Sequence, residues 1–210
     1  MILKSNIILG TGGHSRAILE NLLIQNKKNI KLYDLNFSSN SINIILKNKV
    51  RDFKKISKNE ISKKNNMFLA IGNNILRKKY FKNYSNKINM PNLISKNSNI
   101  SSFSKVGIAN FFNHFTYIGP NSIIGNNNII NTQSLIEHDV KIGNHCHIGP
   151  AVKIGGSCTI MDNVMCGIGT IIINNINICS NVIIGAGSII TSNIYKPGTY
   201  VTVKNKLRKL

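Results

Sequence analysis

Apolar residues recur at every sixth position through the second half of the chain. Stepping by six from Ile94 to Ile190 meets seventeen positions, all of them apolar, and fourteen of them are Ile. The fourth position after each of these residues is often small or β-branched, as at Ser122, Val140 and Cys158. A period of six fits neither an α-helix nor a plain alternating strand. It predicts a coil with three short flat sides, in which one residue of each side points inward.

Stacking of such coils predicts one continuous apolar interior. Each buried Ile contributes roughly 1.5–3 kcal/mol to the stability of the fold. The residue after the Ile is often Gly, and we expect it to supply the backbone conformations that a corner requires. The register is uninterrupted over 94–190, a little over five coils. Cys146, Cys158 and Cys166 fall at interior positions, and we interpret them as core residues because no C-x-x-C pair is present.

The first part of the chain alternates apolar runs with helical patterns. NIILG at 6–10 and MFLAIG at 67–72 predict two buried strands, and IKLYD predicts another that ends at Asp34. A helix is expected from about His14 to Ile24, and NNILRKKYF predicts a second helix. This alternation is typical of a small parallel sheet in an α/β domain.

The turn after the first strand is rich in glycine. Gly10, Gly12 and Ser15 approximate a G-x-G-x-x-G spacing without its third Gly, and Asp34 lies where a ribose-binding acid would be. Backbone N–H groups at such a turn can hold phosphate. A domain of 93 residues is about half a full dinucleotide fold, so a nucleotide-linked sugar is favoured over NAD. A tight turn without a ligand is the alternative.

Composition excludes some classes of function. The formal charge is +20, from 27 Lys and Arg against 7 Asp and Glu. The basic residues are scattered and no RNA-binding signature occurs, so no nucleic-acid partner is expected. Eighteen of the basic residues lie within 1–93, which suits a phosphate-bearing small molecule. No membrane span or signal peptide is predicted, and we expect a cytoplasmic protein with reduced cysteines.

The segment Glu137-His138-Asp139 departs from the chemistry of the repeat. Glu137 replaces the usual Gly, and two of only seven acidic residues flank His138. A His beside a carboxylate can act as a general base, since one ring nitrogen takes a proton while the carboxylate holds the other N–H. His138 is therefore the candidate base and Asp139 the residue that orients it. A solvated charged corner is the alternative.

Taken together, these motifs resemble a known family. The six-residue ladder resembles the hexapeptide-repeat acyltransferases, whose fold is a left-handed parallel β-helix. GTGGHSR, a strand ending in Asp, AIGNN-x-x-RKK and NTQSLIEHD at 131–139 resemble the sugar O- and N-acetyltransferases of the sialic-acid and bacillosamine pathways. The similarity covers nearly the whole chain. It implies a Rossmann-like acceptor-binding domain at 1–93 and a β-helical acetyl-CoA and catalytic domain at 94–210.

The resemblance also implies a reaction and an assembly. An amine or hydroxyl of a nucleotide-linked amino sugar or of sialic acid would attack acetyl-CoA directly, without a metal. The groove for acetyl-CoA would form between two subunits of a homotrimer. The residues implied are, for catalysis, His138, Asp139 and the oxyanion donor Gly156; for acetyl-CoA, His147, Gly167, Ile168, Ala186 and Gly187; and for the acceptor, Gly12, Gly13, His14, Asp34, Gly72, Asn73 and Asn74.

The C-terminal tail departs from the family pattern. The family has G-x-P-A-[KR] after the last coil, and this chain has Thr-Val-Lys-Asn-Lys at 202–206. The basic residues of the tail either contact the phosphates of CoA or are solvated; they are Lys204, Lys206, Arg208 and Lys209.

Two alternative functions follow from the same residues. One is a non-catalytic nucleotide-sugar-binding hexapeptide protein. The other is a zinc carbonic anhydrase that uses His138, His145 and His147, although their spacing does not match that family. Outside the zinc hypothesis, His145 and His114 are interpreted as exposed residues.

Overall fold

The structure, a computed structural model, describes residues 4–10, 12–33, 53–54, 58–203 and 206–210. It divides into two units, Met1–Leu93 and Ile94–Leu210. Asp34 and Lys204, which the sequence analysis named as candidate ligand contacts, lie outside the described residues.

The first unit contains a four-stranded parallel sheet and two α-helices. Its elements in chain order are β1 (Asn6–Leu9), α1 (Gly13–Ile24), β2 (Ile30–Tyr33), β3 (Phe53–Lys54), a 3₁₀ turn (Lys58–Glu60), β4 (Asn66–Leu69) and α2 (Asn74–Tyr84). The strand order is β3-β2-β1-β4, and all pairs are parallel. All four residues of β1 are buried, as expected for the interior strand of a parallel sheet. Neither α1 nor α2 is long and apolar enough to cross a bilayer.

The second unit is a β-helix of three sheets, and β5 begins at the boundary between the units. Its strands are β5 (Leu93–Ile94), β6 (Asn99–Ile100), β7 (Lys105–Val106), β8 (Phe111–Phe112), β9 (Tyr117–Ile118), β10 (Ile123–Ile124), β11 (Ile129–Ile130), β12 (Leu135–Ile136), β13 (Lys141–Ile142), β14 (His147–Ile148), β15 (Lys153–Ile154), β16 (Thr159–Ile160), β17 (Met165–Cys166), β18 (Ile171–Ile172), β19 (Asn177–Ile178), β20 (Val182–Ile184), β21 (Ile189–Ile190), β22 (Gly198–Val203) and β23 (Lys206–Lys209).

From β5 to β21, each sheet takes every third strand of the coil, and β22 and β23 extend one of the sheets. The sheet orders are β19-β16-β13-β10-β7, β23-β22-β20-β17-β14-β11-β8-β5 and β21-β18-β15-β12-β9-β6. Among the strands up to β21, paired residues are eighteen positions apart, so Ile124 lies beside Ile142 and Ile130 beside Ile148. The inward residues form one buried cluster that runs along the helix. The predicted fold, a small parallel α/β sheet followed by a hexapeptide-repeat β-helix, is confirmed.

The corners are built differently from the sequence prediction. From Val106 to Ile184, the residue at the third position after each inward residue has a left-handed backbone conformation, whatever its side chain. These residues are Ala109, Phe115, Asn121, Asn127, Gln133, Asp139, His145, Ala151, Ser157, Asn163, Gly169, Asn175, Asn181 and Gly187. The glycines that directly follow the inward residues do not have positive φ. The prediction that they supply the conformation of the corner is wrong.

Close approach of successive coils explains these glycines instead. A Cβ on Gly125 would lie 2.5 Å from the carbonyl oxygen of Gly143, and one on Gly149 would lie 2.5 Å from that of Cys166. Backbone atoms cannot yield to a Cβ at that distance without a shift of the coil.

A C-terminal hairpin, which the sequence analysis did not predict, ends the chain. Strand β22 continues the parallel sheet beside β20, and β23 pairs with β22 in the antiparallel direction.

The inward ladder predicts a contrast between two adjacent isoleucines. Ile124 is 1% exposed and Ile123 is 43% exposed. Ile124→Ala should lower the free energy of unfolding by about 2–5 kcal/mol, because it leaves a cavity in the ladder. Ile123→Ala, the matched control, should change it by about 0.5 kcal/mol or less. Denaturant unfolding measures both, and equal losses would contradict the inward placement of the repeat.

Candidate functional site

His138 and Asp139 form a hydrogen-bonded pair at the corner after β12. Asp139 has φ 60°, a conformation that Asp tolerates better than most residues, and its Oδ2 lies 2.7 Å from His138 Nδ1. The hydrogen bond from His138 is the main cause that lowers the pKa of Asp139, and a second hydrogen bond from Asn121 adds to it. An ionised Asp139 favours the tautomer of His138 that is protonated on Nδ1, which leaves Nε2 as the proton acceptor.

Gly156 lies next to this imidazole in the following coil. A Cβ on Gly156 would lie 2.7 Å from Cε1 and 2.8 Å from Nε2 of His138. The His138 and Asp139 side chains are 57% and 49% exposed to solvent. The imidazole lies where any larger residue at position 156 would place its Cβ. The three residues predicted for catalysis therefore share one corner.

The residues predicted to bind acetyl-CoA lie together at another corner. Gly167 and Ile168 follow β17, and Ala186 and Gly187 occupy the next coil after β20. The Gly187 N–H donates to the Ile168 carbonyl at 2.8 Å, and a Cβ on Gly167 would lie 2.6 Å from the Ala186 nitrogen. His147 begins β14, on the sheet that leads into this corner. This corner has short side chains and is apolar, because it consists of glycines, an alanine and the exposed Ile168.

The two corners are separated within one chain. The corner of His138 follows β12, whereas the corner of Gly167 comes directly before β18. Strands β12 and β18 belong to the same sheet, so a full side of the prism separates the two clusters. A side of six residues spans up to about 20 Å. A single β-helix unit therefore does not bring the predicted base and the predicted acetyl-CoA residues together.

The predicted acceptor residues that the structure describes lie at one edge of the sheet of the first unit. Gly12 is the N-cap of α1, and Asn73 is the N-cap of α2, where its side chain accepts from the Leu76 N–H at 2.9 Å. These caps follow β1 and β4, which are parallel neighbours. A Cβ on Gly10, whose φ is +123°, would lie 2.6 Å from the Ala70 carbonyl oxygen, so the two turns approach closely.

This edge is where the topology of the sheet reverses. The chain proceeds from β1 to β2 and β3 on one side, and then returns to place β4 on the other side of β1. Ligands of open parallel sheets bind in the crevice at the carboxyl ends of strands at such a reversal. The pairing of β1 with β4 places Gly12, Gly13 and His14 at the same edge as Gly72, Asn73 and Asn74, and a Cβ on Gly12 or Gly13 would meet open space.

The sequence analysis did not identify Arg77 as a residue of this edge. Arg77 is 1% exposed, although it lies on α2 among exposed neighbours. Its guanidinium donates to the Ile71 and Gly72 carbonyls and to Asn74 Oδ1. Arg77 is the Arg of the AIGNN-x-x-RKK motif, to which the sequence analysis assigned no function.

The remaining histidines do not match their sequence interpretation as exposed residues. His145 is buried and its Nδ1 lies 2.8 Å from Asn127 Nδ2, while the partly buried His114 contacts the Ser95 hydroxyl at 2.6 Å. The histidines of the zinc hypothesis lie at three places around the coil, the corner after β12, the corner after β13 and strand β14. In the part of the chain that the structure describes, no three His, Cys, Asp or Glu side chains are arranged to hold a metal ion.

Comparison with known families matches both units. Residues 6–84 match the PglD N-terminal domain, and residues 121–156 match the bacterial transferase hexapeptide repeats. The first match lies within the α/β unit and the second within the β-helix. The resemblance inferred from the sequence is thereby confirmed. No curated protein matches the chain in sequence.

Solved structures share this two-unit fold. PerB from Caulobacter crescentus, in complex with CoA and GDP-perosamine, is 23% identical with a TM-score of 0.84, over 98% of each chain. The acetyltransferase domain of PglB from Neisseria gonorrhoeae is 21% identical with a TM-score of 0.86, over 99% of this chain and 100% of that one. WeeI from Acinetobacter baumannii is 17% identical with a TM-score of 0.65, over 99% and 100%. At these identities the likeness establishes the fold.

The contact between Gly156 and His138 predicts a specific effect of Gly156→Ala. The new methyl group should displace the exposed imidazole while the backbone stays in place, so the free energy of unfolding should change by about 0.5 kcal/mol or less. Gly149→Ala, the control, should lower the melting temperature because its methyl group meets backbone. NMR of the His138 ring nitrogens measures the displacement, and unchanged ring signals in Gly156→Ala would contradict this packing.

Proposed function

We propose that this chain is an acetyl-CoA-dependent N-acetyltransferase that acts on a nucleotide-linked amino sugar. The proposal draws on the PglD N-terminal domain and on two structures of the same fold, PerB with CoA and GDP-perosamine and the PglB domain with acetyl coenzyme A. We assign acceptor binding to the first unit and acetyl transfer to the second.

The observation that carries the proposal is the exposed His138 held by Asp139 above Gly156. His138 Nε2 takes the proton as the acceptor nitrogen attacks the carbonyl carbon of the thioester. Asp139 holds the Nδ1–H and stabilises the imidazolium that forms. The Gly156 N–H is assigned as the donor to the developing oxyanion. The C–S bond then breaks, and the imidazolium returns the proton to the sulfur of CoA.

The acceptor contacts are assigned to the crevice between the ends of β1 and β4. N–H groups at the start of α1 and α2 suit the phosphates of a nucleotide. Gly12, Gly13, His14, Gly72, Asn73 and Asn74 are the described residues of this site, and Asp34 is assigned to it from the resemblance. A nucleotide-linked amino sugar fits a phosphate-binding edge better than free sialic acid does, so we rank sialic acid second.

The complete active site is assigned to a homotrimer. Because His138 and the Gly167–Gly187 cluster lie at different corners, a second copy has to supply one of them. Acetyl-CoA would then lie between two subunits, with His147, Gly167, Ile168, Ala186 and Gly187 along one wall. Lys206, Arg208 and Lys209 of the hairpin are available to the phosphates of CoA. Four free cysteines and the use of acetyl-CoA suit a reducing cytoplasm.

Substitution of the pair tests the assigned chemistry. His138→Ala should lower kcat by roughly 10²–10⁴-fold with the fold intact. Asp139→Asn should also lower kcat, because it no longer selects the tautomer of His138. The double variant should be no slower than His138→Ala, since Asp139 acts through His138. Steady-state release of CoA measures all three, and additive losses would contradict the assigned roles.

The acceptor is identified by mass spectrometry of the products from a panel of nucleotide-linked amino sugars, free amino sugars and sialic acid. A gain of one acetyl group on an amine of a nucleotide-linked sugar supports the proposal. Binding of such a sugar without turnover would instead identify a non-catalytic binding protein.

Mixing of subunits tests the shared site. His138→Ala and Ala186→Trp should each be inactive alone, because one lacks the base and the other blocks the acetyl-CoA corner. After dissociation and reassembly together, random trimers should recover about a quarter of wild-type activity, since one interface in four combines both intact corners. Each variant reassembled alone is the control. No recovery from well-mixed trimers would place both groups in one subunit.

A further inference from the structure

Asn121 lies one coil before Asp139, at the edge of the prism that carries His138. Both residues have a left-handed backbone conformation, with φ 58° for Asn121 and φ 60° for Asp139. The Asp139 N–H donates to the Pro120 carbonyl at 3.0 Å, so the two corners stack on each other. The side-chain amide of Asn121 donates a hydrogen bond to the Asp139 carboxylate. The carboxylate is therefore bound by two residues, His138 in its own coil and Asn121 in the preceding one.

The same relation between side chains occurs at another edge of the β-helix. Asn163 also has a left-handed conformation, and its Nδ2 donates to Asn181 Oδ1 at 2.7 Å. Both pairs are eighteen residues apart, which is one complete coil. A left-handed corner can thus direct an Asn side chain to the equivalent side chain of the next coil. The contact between Asn121 and Asp139 follows from the backbone geometry of the repeat.

A single hydrogen bond fixes an exposed carboxylate only weakly. The Asp139 and His138 side chains are both exposed, so water competes for each of them. Immobilising such a side chain costs conformational entropy, which a further hydrogen bond helps to offset. A carboxylate accepts several donors at once, so Asn121 and His138 can bind it together. The amide of Asn121 therefore helps to keep the Asp139 oxygen directed to His138 Nδ1.

The backbone of the corner at Asp139 is held independently of the Asn121 side chain. The buried Ser122 Oγ donates to the Glu137 carbonyl at 2.8 Å and accepts from the Val140 N–H at 3.1 Å. Loss of the Asn121 side chain should therefore affect the Asp139 carboxylate and leave the backbone of the corner in place.

We infer that Asn121 is a positioning residue, which holds the Asp139 carboxylate against His138 Nδ1 so that Nε2 stays the proton acceptor in acetyl transfer. The inference rests on the proposed function for the reaction that His138 carries out. In this role Asn121 acts only through Asp139 and contacts no substrate.

NMR of the full chain tests the inference without any need for turnover. Asn121→Gly removes the amide and permits the same positive φ, as Gly169 and Gly187 do at equivalent positions of other coils. It should raise the pKa of the Asp139 carboxyl, since a donor to the charged form is lost. It should also lower the fraction of neutral His138 that is protonated on Nδ1, which the shifts of the two ring nitrogens report. Either quantity unchanged would overturn the inference.

Kinetics on the assembled protein give a second test. Asn121→Gly should lower kcat by roughly three- to tenfold and leave the KM for acetyl-CoA and the KM for the acceptor unchanged. In an Asp139→Gly background the same change should have no further effect, because Asn121 acts through Asp139. Losses that add in the double variant would assign Asn121 another role and overturn the inference.

Two further variants separate the hydrogen bond from general effects on the β-helix. Asn163→Gly, the matched control, removes the corresponding amide bond at an edge without His138, so kcat and the His138 ring signals should not change. An equal fall of kcat in this control would contradict the inference. Asn121→Asp keeps the shape of the side chain without its donor, and it should lower kcat at least as much as Asn121→Gly. Wild-type kcat in Asn121→Asp would also contradict the inference.

Thermal unfolding checks that each variant is folded. If no acetyl transfer is observed with any acceptor, the NMR measurements decide alone. The expected changes at Asp139 and His138 would then support the role of Asn121 as the residue that orients the pair, and the absence of transfer would count against the proposed enzyme only.

Discussion

The separation of successive coils is the constraint on which the β-helix depends. Neighbouring parallel strands lie about 4.8 Å apart, so a residue of a repeat strand lies beside the backbone of the residue eighteen positions on, as Ile124 lies beside Ile142. Gly125 and Gly149 have no room for a Cβ for this reason. The same spacing stacks the inward Ile side chains into one ladder. A residue of this unit can therefore be understood only together with the residues eighteen positions before and after it.

The candidate catalytic corner follows from this constraint. Asn121, Asp139 and Ser157 occupy equivalent places in three coils and share one left-handed conformation. That conformation returns the Asp139 carboxylate to His138, and the next coil leaves room for the imidazole at Gly156. The corner at Asp139 therefore orients a histidine while its backbone has the same conformation as the equivalent corners at Asn121 and Ser157.

The repeat and the Glu-His-Asp segment could be predicted from the sequence because both require particular residue types at particular positions. The left-handed corner position is only partly marked in the sequence: Asn, Asp and Gly occupy eight of its fourteen places, but Ala109, Gln133 and His145 are among the others. The separation of the two predicted clusters could have been predicted from the sequence. His138 and Ile168 differ by thirty positions, which is not a multiple of the eighteen residues in one coil. The burial of Arg77 could not be predicted from the sequence, because its neighbours on α2 give the helix an exposed, basic pattern.

The C-terminal hairpin determines which strand edge is exposed at one end of the β-helix. A parallel sheet that stopped at β20 would present unpaired backbone groups, and such an edge invites further strands from another chain. Strand β22 covers the edge of β20, and the antiparallel β23 turns a different hydrogen-bonding pattern outward. Lys206, Arg208 and Lys209 add mutual repulsion on that outer strand. The hairpin therefore protects this sheet against end-to-end fibre growth.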